Sequence, residues 1–129
     1  EAADRILSKP NSKDYSPLSI YIDVVSDARK LFNVPRNVFA PAPHVDSTVI
    51  ELKFNERHNE DAVKMYRLCS AMFLQRRKTI FNNLKNYLHD GDLAAKLLEE
   101  FHIPQNARAE SIAPQQYWEM SQSGLLKNL

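Results

Sequence analysis

The sequence has little glycine and cysteine and no long apolar run. Only two of its 129 residues are glycine, and they lie far apart at positions 91 and 124. The usual phosphate- and dinucleotide-binding loops need several glycines close together, so the sequence excludes a cofactor site of that kind. A single cysteine, Cys69, excludes an internal disulfide and is typical of a protein from a reducing compartment.

Membrane and metal signals are also missing. Every apolar run is shorter than the roughly 18 residues that a membrane-spanning helix needs, and no signal peptide is recognisable. The four histidines are scattered without the spacing of metal ligands, so no metal site is expected. With 43% apolar and 26% charged residues, the composition is that of an ordinary globular protein, for which we predict a cytoplasmic location.

Positive charge is concentrated in one stretch. Residues 62–89 contain six basic side chains and no acidic one, and since the whole chain carries +1, the rest carries −5. A local basic block indicates nucleic-acid binding better than overall charge does, because phosphates are neutralised locally. A solvated helix face is the alternative, and charge alone does not distinguish the two. The six residues are Lys64, Arg67, Arg76, Arg77, Lys78 and Lys85.

A proline-stiffened segment precedes the clearest strand. Pro41 and Pro43 fix their own φ and restrict the residues before them, which predicts an extended loop. In residues 47–54, β-branched residues are followed by alternating apolar and charged ones, which predicts a strand. A stiff loop that leads directly into a strand can fix one side chain at the mouth of that strand, and Phe39 is the natural candidate.

The other elements predict an α+β fold that is mostly helical. Residues 28–34 form a second strand candidate that ends at Pro35, and antiparallel pairing of the two strands is the simplest arrangement. Two strands make a poor sheet, which predicts further strands upstream of this chain. After a polar linker at 55–59, apolar residues follow helical spacing and predict a small bundle. We therefore predict two units, residues 1–56 and residues 57–129.

Five strings in order resemble one protein family. They are EAADRI from Glu1, SKDYSPLS from Ser12, VFAPAPHVDS from Val38, QRRKTIFNNL from Gln75 and ARAE from Ala107. Together they are similar to the carboxy-terminal half of the small-subunit (16S) rRNA adenine N6,N6-dimethyltransferases, the KsgA/RsmA family. The resemblance implies that residues 1–56 are the tail of a class I, Rossmann-like methyltransferase domain and that residues 57–129 are a helical rRNA-binding domain. It also implies that the chain is a fragment.

The resemblance further implies an S-adenosylmethionine-dependent enzyme that dimethylates adjacent adenosines near the 3′ end of small-subunit rRNA. The family's cofactor loop and its catalytic Asn-Leu-Pro-Tyr motif lie upstream of the matching segments. We therefore expect no catalytic and no cofactor-binding residue in this chain, which by itself should be inactive and bind RNA only. Its expected partner is small-subunit rRNA in the 30S subunit, and an exposed sheet edge should make the fragment self-associate.

Two groups of site residues follow from the resemblance. Phe39, Pro41 and Pro43 match the family's target-base pocket, in which an aromatic ring lies against the flipped-out adenine; packing under the loop is the alternative for Phe39. The basic cluster would contact phosphates without reading sequence. For Asn82 and Asn83, hydrogen bonds to backbone or RNA, simple exposure and a role as a helix cap all remain open. The predicted RNA-binding residues are Arg76, Arg77, Lys78, Asn82, Asn83 and Lys85.

The sequence also supports two expectations about individual residues and two alternative functions. Arg108 and Glu110 are expected to form a structural pair, and Cys69 to be buried and inert. An Erm-type methyltransferase of large-subunit rRNA shares the Phe-x-Pro-x-Pro element and is the nearest alternative enzyme. A non-catalytic RNA-binding or ribosome-assembly module is the alternative of another class.

Overall fold

A computed structural model of the chain describes residues 2–38 and 47–126. The predicted pocket residues Phe39, Pro41 and Pro43 lie outside the described residues. Within those residues the fold is a two-stranded sheet and six α-helices, with three short 3-10 helices. The bounds are α1 Ala2–Ile6, α2 Pro17–Val25, β1 Ser26–Val34, β2 Ser47–Phe54, α3 Glu60–Met72, α4 Ile80–Leu88, α5 Gly91–Glu100 and α6 Pro114–Ser121.

Helix α2 begins at a strong start signal and runs directly into β1. Pro17 occupies the first turn, and Ser16 and Ser19 form a reciprocal capping box. The strand starts at Ser26, two residues earlier than predicted, because Ser26 is already extended while its backbone N–H still donates to Ile22 of the helix. No loop therefore separates helix from strand.

The two strands pair as predicted. They are antiparallel, with Ser26 opposite Phe54 and Val34 opposite Ser47, and the register shifts by one residue between Lys30 and Phe32. This irregularity is a β-bulge, which bends the strand and increases its twist. Large apolar side chains remain exposed on the hairpin, among them Phe32 and Phe54.

Polar side chains cap the starts of three helices of the bundle. The side chains of Asn59, Thr79 and Asp90 accept backbone N–H groups at the starts of α3, α4 and α5. Asp90 thus lies directly before α5, and Gly91 is already the first residue of that helix. Helix α4 ends at Leu88, and the residue after it, His89, has a left-handed φ of 57°.

One apolar core connects α2 with the bundle. Ile20 and Val25 of α2 are fully buried in the same cluster as Met65, Leu84 and Met120 of the later helices. Helix α2 packs against α3 and α6, although the sequence placed it in the first predicted unit. The two predicted units therefore share one core, and the division at residue 56 stays a prediction.

The polar linker is bonded to both sides. Asn55 donates from its backbone to the carbonyl of Val25 and from its side chain to that of Val24, at 2.9 and 3.0 Å. Arg57 lies over the Trp118 ring, 4.9 Å from its centroid, and donates to the side chain of Gln115 on α6. The linker thus ties the end of the hairpin to the bundle.

No described helix is long and apolar enough to cross a membrane. No group of three or more His, Cys, Asp or Glu side chains in the same part of the chain has the geometry to hold a metal ion.

Candidate nucleic-acid interface

The loop between α3 and α4 carries the predicted basic cluster, and Asn83 fixes its shape. The side-chain amide of Asn83 donates to the carbonyls of Met72 and Gln75, at 2.9 and 3.1 Å. Asn83 is only 4% exposed, so its expected contact with RNA is corrected: its amide binds the chain's own backbone. Asn82, one residue earlier, is exposed, and its backbone N–H donates to the Thr79 hydroxyl.

Arg76 joins three segments of the chain. Its guanidinium donates to the backbone carbonyl of Lys13 and forms an ion pair with the carboxylate of Glu110, both at 3.3 Å. It also lies 5.4 Å from the centroid of the Phe73 ring, within the range of a cation–π contact. The predicted pair of Arg108 with Glu110 is therefore wrong, because Glu110 pairs with Arg76.

Further hydrogen bonds hold the same three segments together. The backbone N–H of Asn11 donates to the carbonyl of Glu110 at 2.8 Å, and the Tyr15 hydroxyl to that of Ile112 at 2.6 Å. The N–H of Ile80 donates to the carbonyl of Ala107 at 2.6 Å. We call the region formed by residues 11–15, 73–79 and 105–112 the three-loop surface.

The three-loop surface carries unpaired positive charge. Lys13, Arg77, Lys78 and Arg108 are all exposed, and none of their side chains has a hydrogen-bond or ion-pair partner among residues 2–38 and 47–126. The region holds five basic residues, counting Arg76, and two acidic ones, Asp14 and Glu110, which leaves a net charge of +3. Exposed cations without internal partners are available to phosphate oxygens.

The remaining basic residues of the acid-free stretch lie elsewhere. Lys85 is exposed on α4, and its aliphatic carbons lie beside Gly91 at the start of α5. Lys64 and Arg67 of α3 line a small groove with Tyr87 of α4. The structure therefore brings Arg76, Arg77 and Lys78 together with Lys13 and Arg108, while Lys85, Lys64 and Arg67 belong to other faces.

No described thiol or phenol in the core is prepared for catalysis. Cys69 is fully buried, as predicted, and burial raises the pKa of its thiol. Burial also raises the pKa values of Tyr15 and Tyr117, whose hydroxyls donate to the carbonyls of Ile112 and Ala109. These groups remain neutral at physiological pH and act as packing and hydrogen-bonding groups.

The family of the chain follows from comparison with known proteins. A family model described as ribosomal RNA adenine dimethylase matches residues 1–124. The chain belongs to the ribosomal RNA adenine dimethylase family. A relative of this dimethylase chain in Bacillus licheniformis, named ribosomal RNA small subunit methyltransferase A, is 39% identical over 91% of the chain and 42% of the relative. A protein of the same name from Anaplasma phagocytophilum is 37% identical over 100% of the chain and 48% of the relative.

The dimethylase chain thus spans less than half the length of these two relatives. Among solved structures, a dimethyladenosine transferase from Plasmodium falciparum matches with a TM-score of 0.73 at 22% identity, over 92% of the chain and 52% of that protein. The 23S rRNA methyltransferase ErmE matches with a TM-score of 0.55 at 16% identity, over 94% of the chain and 50% of that protein. At these identities the two structures show the fold, and they confirm the predicted class: the end of a class I methyltransferase sheet followed by a helical bundle.

Sequence reasoning missed Lys13 and the true partner of Glu110. Lys13 stands in the SKDYSPLS string, but nothing local indicates that this loop packs beside residues 73–79. The contact is made by a backbone carbonyl, which carries no sequence signal. The sequence predicts a structural pair of Arg108 with Glu110, but the partner of Glu110 in the fold is Arg76, 34 positions away.

Proposed function

We propose that this chain is the carboxy-terminal part of an S-adenosylmethionine-dependent rRNA adenine N6,N6-dimethyltransferase that acts on adjacent adenosines near the 3′ end of small-subunit rRNA. The observation that carries the proposal is its membership of the rRNA adenine dimethylase family, together with relatives at 37% and 39% identity that are named for the small subunit. The cytoplasm, where ribosomal subunits are assembled, is its proposed location.

The three-loop surface is proposed to bind the rRNA. Its exposed Arg77, Lys78 and Arg108 have no partner among the described residues, and they would bind phosphates and position the rRNA without reading its sequence. Lys85 and Asn82, on α4, are proposed as outlying contacts. The bound RNA would lie across the end of the bundle at which three loops meet.

Phe39, Pro41 and Pro43 are proposed as one wall of the target-base pocket. An enzyme that modifies the exocyclic amine of a base must take the base out of its stack and hold it, and an aromatic ring does so by stacking. The support for this role is the match of the segment to the family pattern. Ser47, which follows the segment, is the first residue of β2 and would tie the wall to the sheet.

The residues of this chain do not fit the methyl donor. Binding of the adenosyl group in this fold class needs a glycine-rich loop after a strand, and the two glycines here begin α5 and the last 3-10 turn. We therefore assign no step of methyl transfer to this chain. S-adenosylmethionine is proposed for the whole enzyme, and the isolated chain is proposed to bind RNA without methylating it.

A hybrid enzyme tests the proposed function. The chain would replace the corresponding carboxy-terminal part of the Bacillus licheniformis relative, and methyl transfer to unmethylated 30S subunits would be measured. We expect activity that falls by at least tenfold in Phe39→Ala and is unchanged in Phe32→Ala, which removes an exposed ring from β1. If Phe39→Ala is as active as the parent, the pocket role is wrong.

The same hybrid distinguishes the alternative enzyme. An Erm-type function is supported only by the shared Phe-x-Pro-x-Pro element and the ErmE fold likeness. Methylation of purified 50S subunits or their rRNA in preference to 30S subunits would establish that alternative and reject ours. A hybrid that folds, binds 30S subunits and methylates neither subunit would favour the non-catalytic assembly module.

A further inference from the structure

The guanidinium of Arg76 is held by contacts within the fold, and its charge is paired with the carboxylate of Glu110. It bonds to the carbonyl of Lys13 and to the carboxylate of Glu110, both at 3.3 Å, and it lies against the Phe73 ring. Its neighbours Arg77 and Lys78 have no such contacts among the described residues. The three adjacent cations of the cluster are therefore not equivalent.

The loop that contains Lys13 is held at its two ends and in its middle, and the middle contact is the bond from Arg76. Besides the bond from Arg76, its two ends are held by the Asn11 bond to Glu110 and by the Tyr15 hydroxyl. The Tyr15 ring packs edge-on against Phe73, with 5.8 Å between centroids. A backbone held at both ends and in the middle keeps the exposed Lys13 side chain beside the basic loop at residues 76–78.

We propose that Lys13 is an rRNA phosphate contact and that Arg76 is a positioning residue, which holds Lys13 next to Arg77 and Lys78 through its bond to the Lys13 carbonyl. The inference rests on the proposed rRNA-binding function of the three-loop surface. It divides the cluster by role: Arg77, Lys78 and Lys13 bind phosphate, whereas Arg76 and Glu110 hold the loops that present them.

Salt dependence of RNA binding separates the two roles. The probe is an unmethylated transcript of the 3′-terminal part of small-subunit rRNA, titrated with the 129-residue chain at several salt concentrations. Each phosphate contact contributes about 0.7–0.9 to the slope of log K against log salt. We expect Lys13→Gln to reduce the magnitude of the slope by the contribution of one contact. Arg77→Gln and Lys78→Gln are each expected to do the same. Lys96→Gln, an exposed change on α5, should leave it unchanged.

A double variant tests the positioning role. If Arg76 acts through Lys13, Arg76→Gln loses the same single contact, and Arg76→Gln with Lys13→Gln loses no more than either alone. If both residues bind phosphate independently, the double variant loses two contacts, a slope change of about 1.4–1.8, and the positioning role is overturned. An unchanged slope in Arg76→Gln would overturn it as well.

Glu110→Gln is a third test that keeps Arg76 in place should Arg76→Gln fail to fold. Breaking the ion pair frees the guanidinium, so a phosphate-binding Arg76 would gain a contact and the slope would rise. A positioning Arg76 would instead lose its anchor, and the slope would stay the same or fall. Glu99→Gln, which removes the same charge from an exposed site on α5, corrects for the general effect of charge.

The outcomes distinguish this inference from the function on which it rests. If the parent chain binds the transcript without salt dependence, or does not bind it, the proposed rRNA-binding function fails. If Arg77→Gln and Lys78→Gln reduce the slope but Lys13→Gln does not, RNA binding stands and the role of Lys13 is wrong. Circular dichroism of each variant confirms that only folded proteins are compared.

Discussion

Two neighbouring asparagines have opposite surroundings. Asn82 is exposed, while the buried amide of Asn83 donates to two backbone carbonyls in the turn after α3. We expect Asn83→Ala to lower the free energy of unfolding by about 1–3 kcal/mol, since it removes the donor to the carbonyls of Met72, where the bond is buried, and Gln75, where it is partly buried. Asn82→Ala should change it by less than about 0.5 kcal/mol. Urea denaturation of the two variants measures this, and equal effects would show that the amide of Asn83 does not hold the loop.

The buried phenols and thiol should make the free energy of unfolding fall as the pH rises into the alkaline range. Burial raises the pKa values of Tyr15, Tyr117 and Cys69 above those of an unfolded chain, which are about 10 for tyrosine and about 8.5 for cysteine. As the pH rises through those unfolded values, the unfolded chain releases protons that the folded chain keeps. The stabilisation is therefore complete below them and is lost above them.

The expected slope is up to about 1.4 kcal/mol per pH unit for each group. The urea midpoint would be followed from pH 8 to pH 11. Tyr15→Phe is the control, because it removes one ionisable group while keeping the ring, so its decline above pH 10 should be shallower. A parent and a Tyr15→Phe variant with parallel declines would contradict the raised pKa of Tyr15.

At the scale of elements, helix α6 lacks the side-chain cap that starts α2, α3, α4 and α5. Ala113 stands at the cap position and offers no side-chain acceptor; only the reverse bond, from the Ala113 N–H to the Gln116 side chain, is present. Ala113→Ser should raise the free energy of unfolding by about 1 kcal/mol, because serine can accept an N–H of the first turn. Ala95→Ser, the same change inside α5, should lower it slightly. Urea denaturation decides, and a gain in both variants would contradict the cap.

The hairpin is the element expected to associate with another copy. Each strand has only one partner among the described residues, and Phe32 and Val49 form an exposed apolar pair across it. Unpaired edges with apolar residues tend to pair with another chain. We predict concentration-dependent self-association by light scattering that is reduced in Phe32→Lys. Leu74→Lys, which adds the same charge at an exposed apolar site in the α3–α4 loop, should leave it unchanged. A parent chain that stays monomeric at high concentration would contradict the prediction.

Elements were predictable here where the signal is local. The second strand at residues 47–54 matches its predicted bounds because alternation and the preceding prolines both mark it. The start of β1 is not predicted correctly because Ser26 has two roles. Its backbone N–H still donates to a carbonyl of α2, while its dihedral angles are already those of a strand. The partner of Glu110 and the place of Lys13 depend on contacts between distant segments, which no local pattern encodes. The role of Phe39 stays a prediction.

At the scale of the whole molecule, sequence and packing divide the chain differently. A change of composition at residues 55–59 suggested two units, but the buried cluster runs from Tyr15 through α2 into the last helices. Asn55 and Arg57 bind to both sides of that linker. Because the core is shared in this way, we expect the chain to unfold as one cooperative unit.

The fluorescence of Trp118, the only tryptophan, follows the unfolding of α6 and can show whether α2 unfolds with it. Ile20 of α2 is fully buried, so Ile20→Ala should lower the free energy of unfolding by about 2–5 kcal/mol. If α2 belongs to the bundle, the Trp118 fluorescence transition moves to lower urea together with the circular dichroism transition. The free energy of unfolding from fluorescence then falls by the full expected amount. Leu18→Ala, on the exposed side of α2, should shift it little. A Trp118 transition that does not move in Ile20→Ala, while circular dichroism shows a separate early phase, would instead support the division at residue 56. In that case the loop that carries Lys13 would be able to leave the basic cluster without unfolding the helices that carry Arg77 and Lys78.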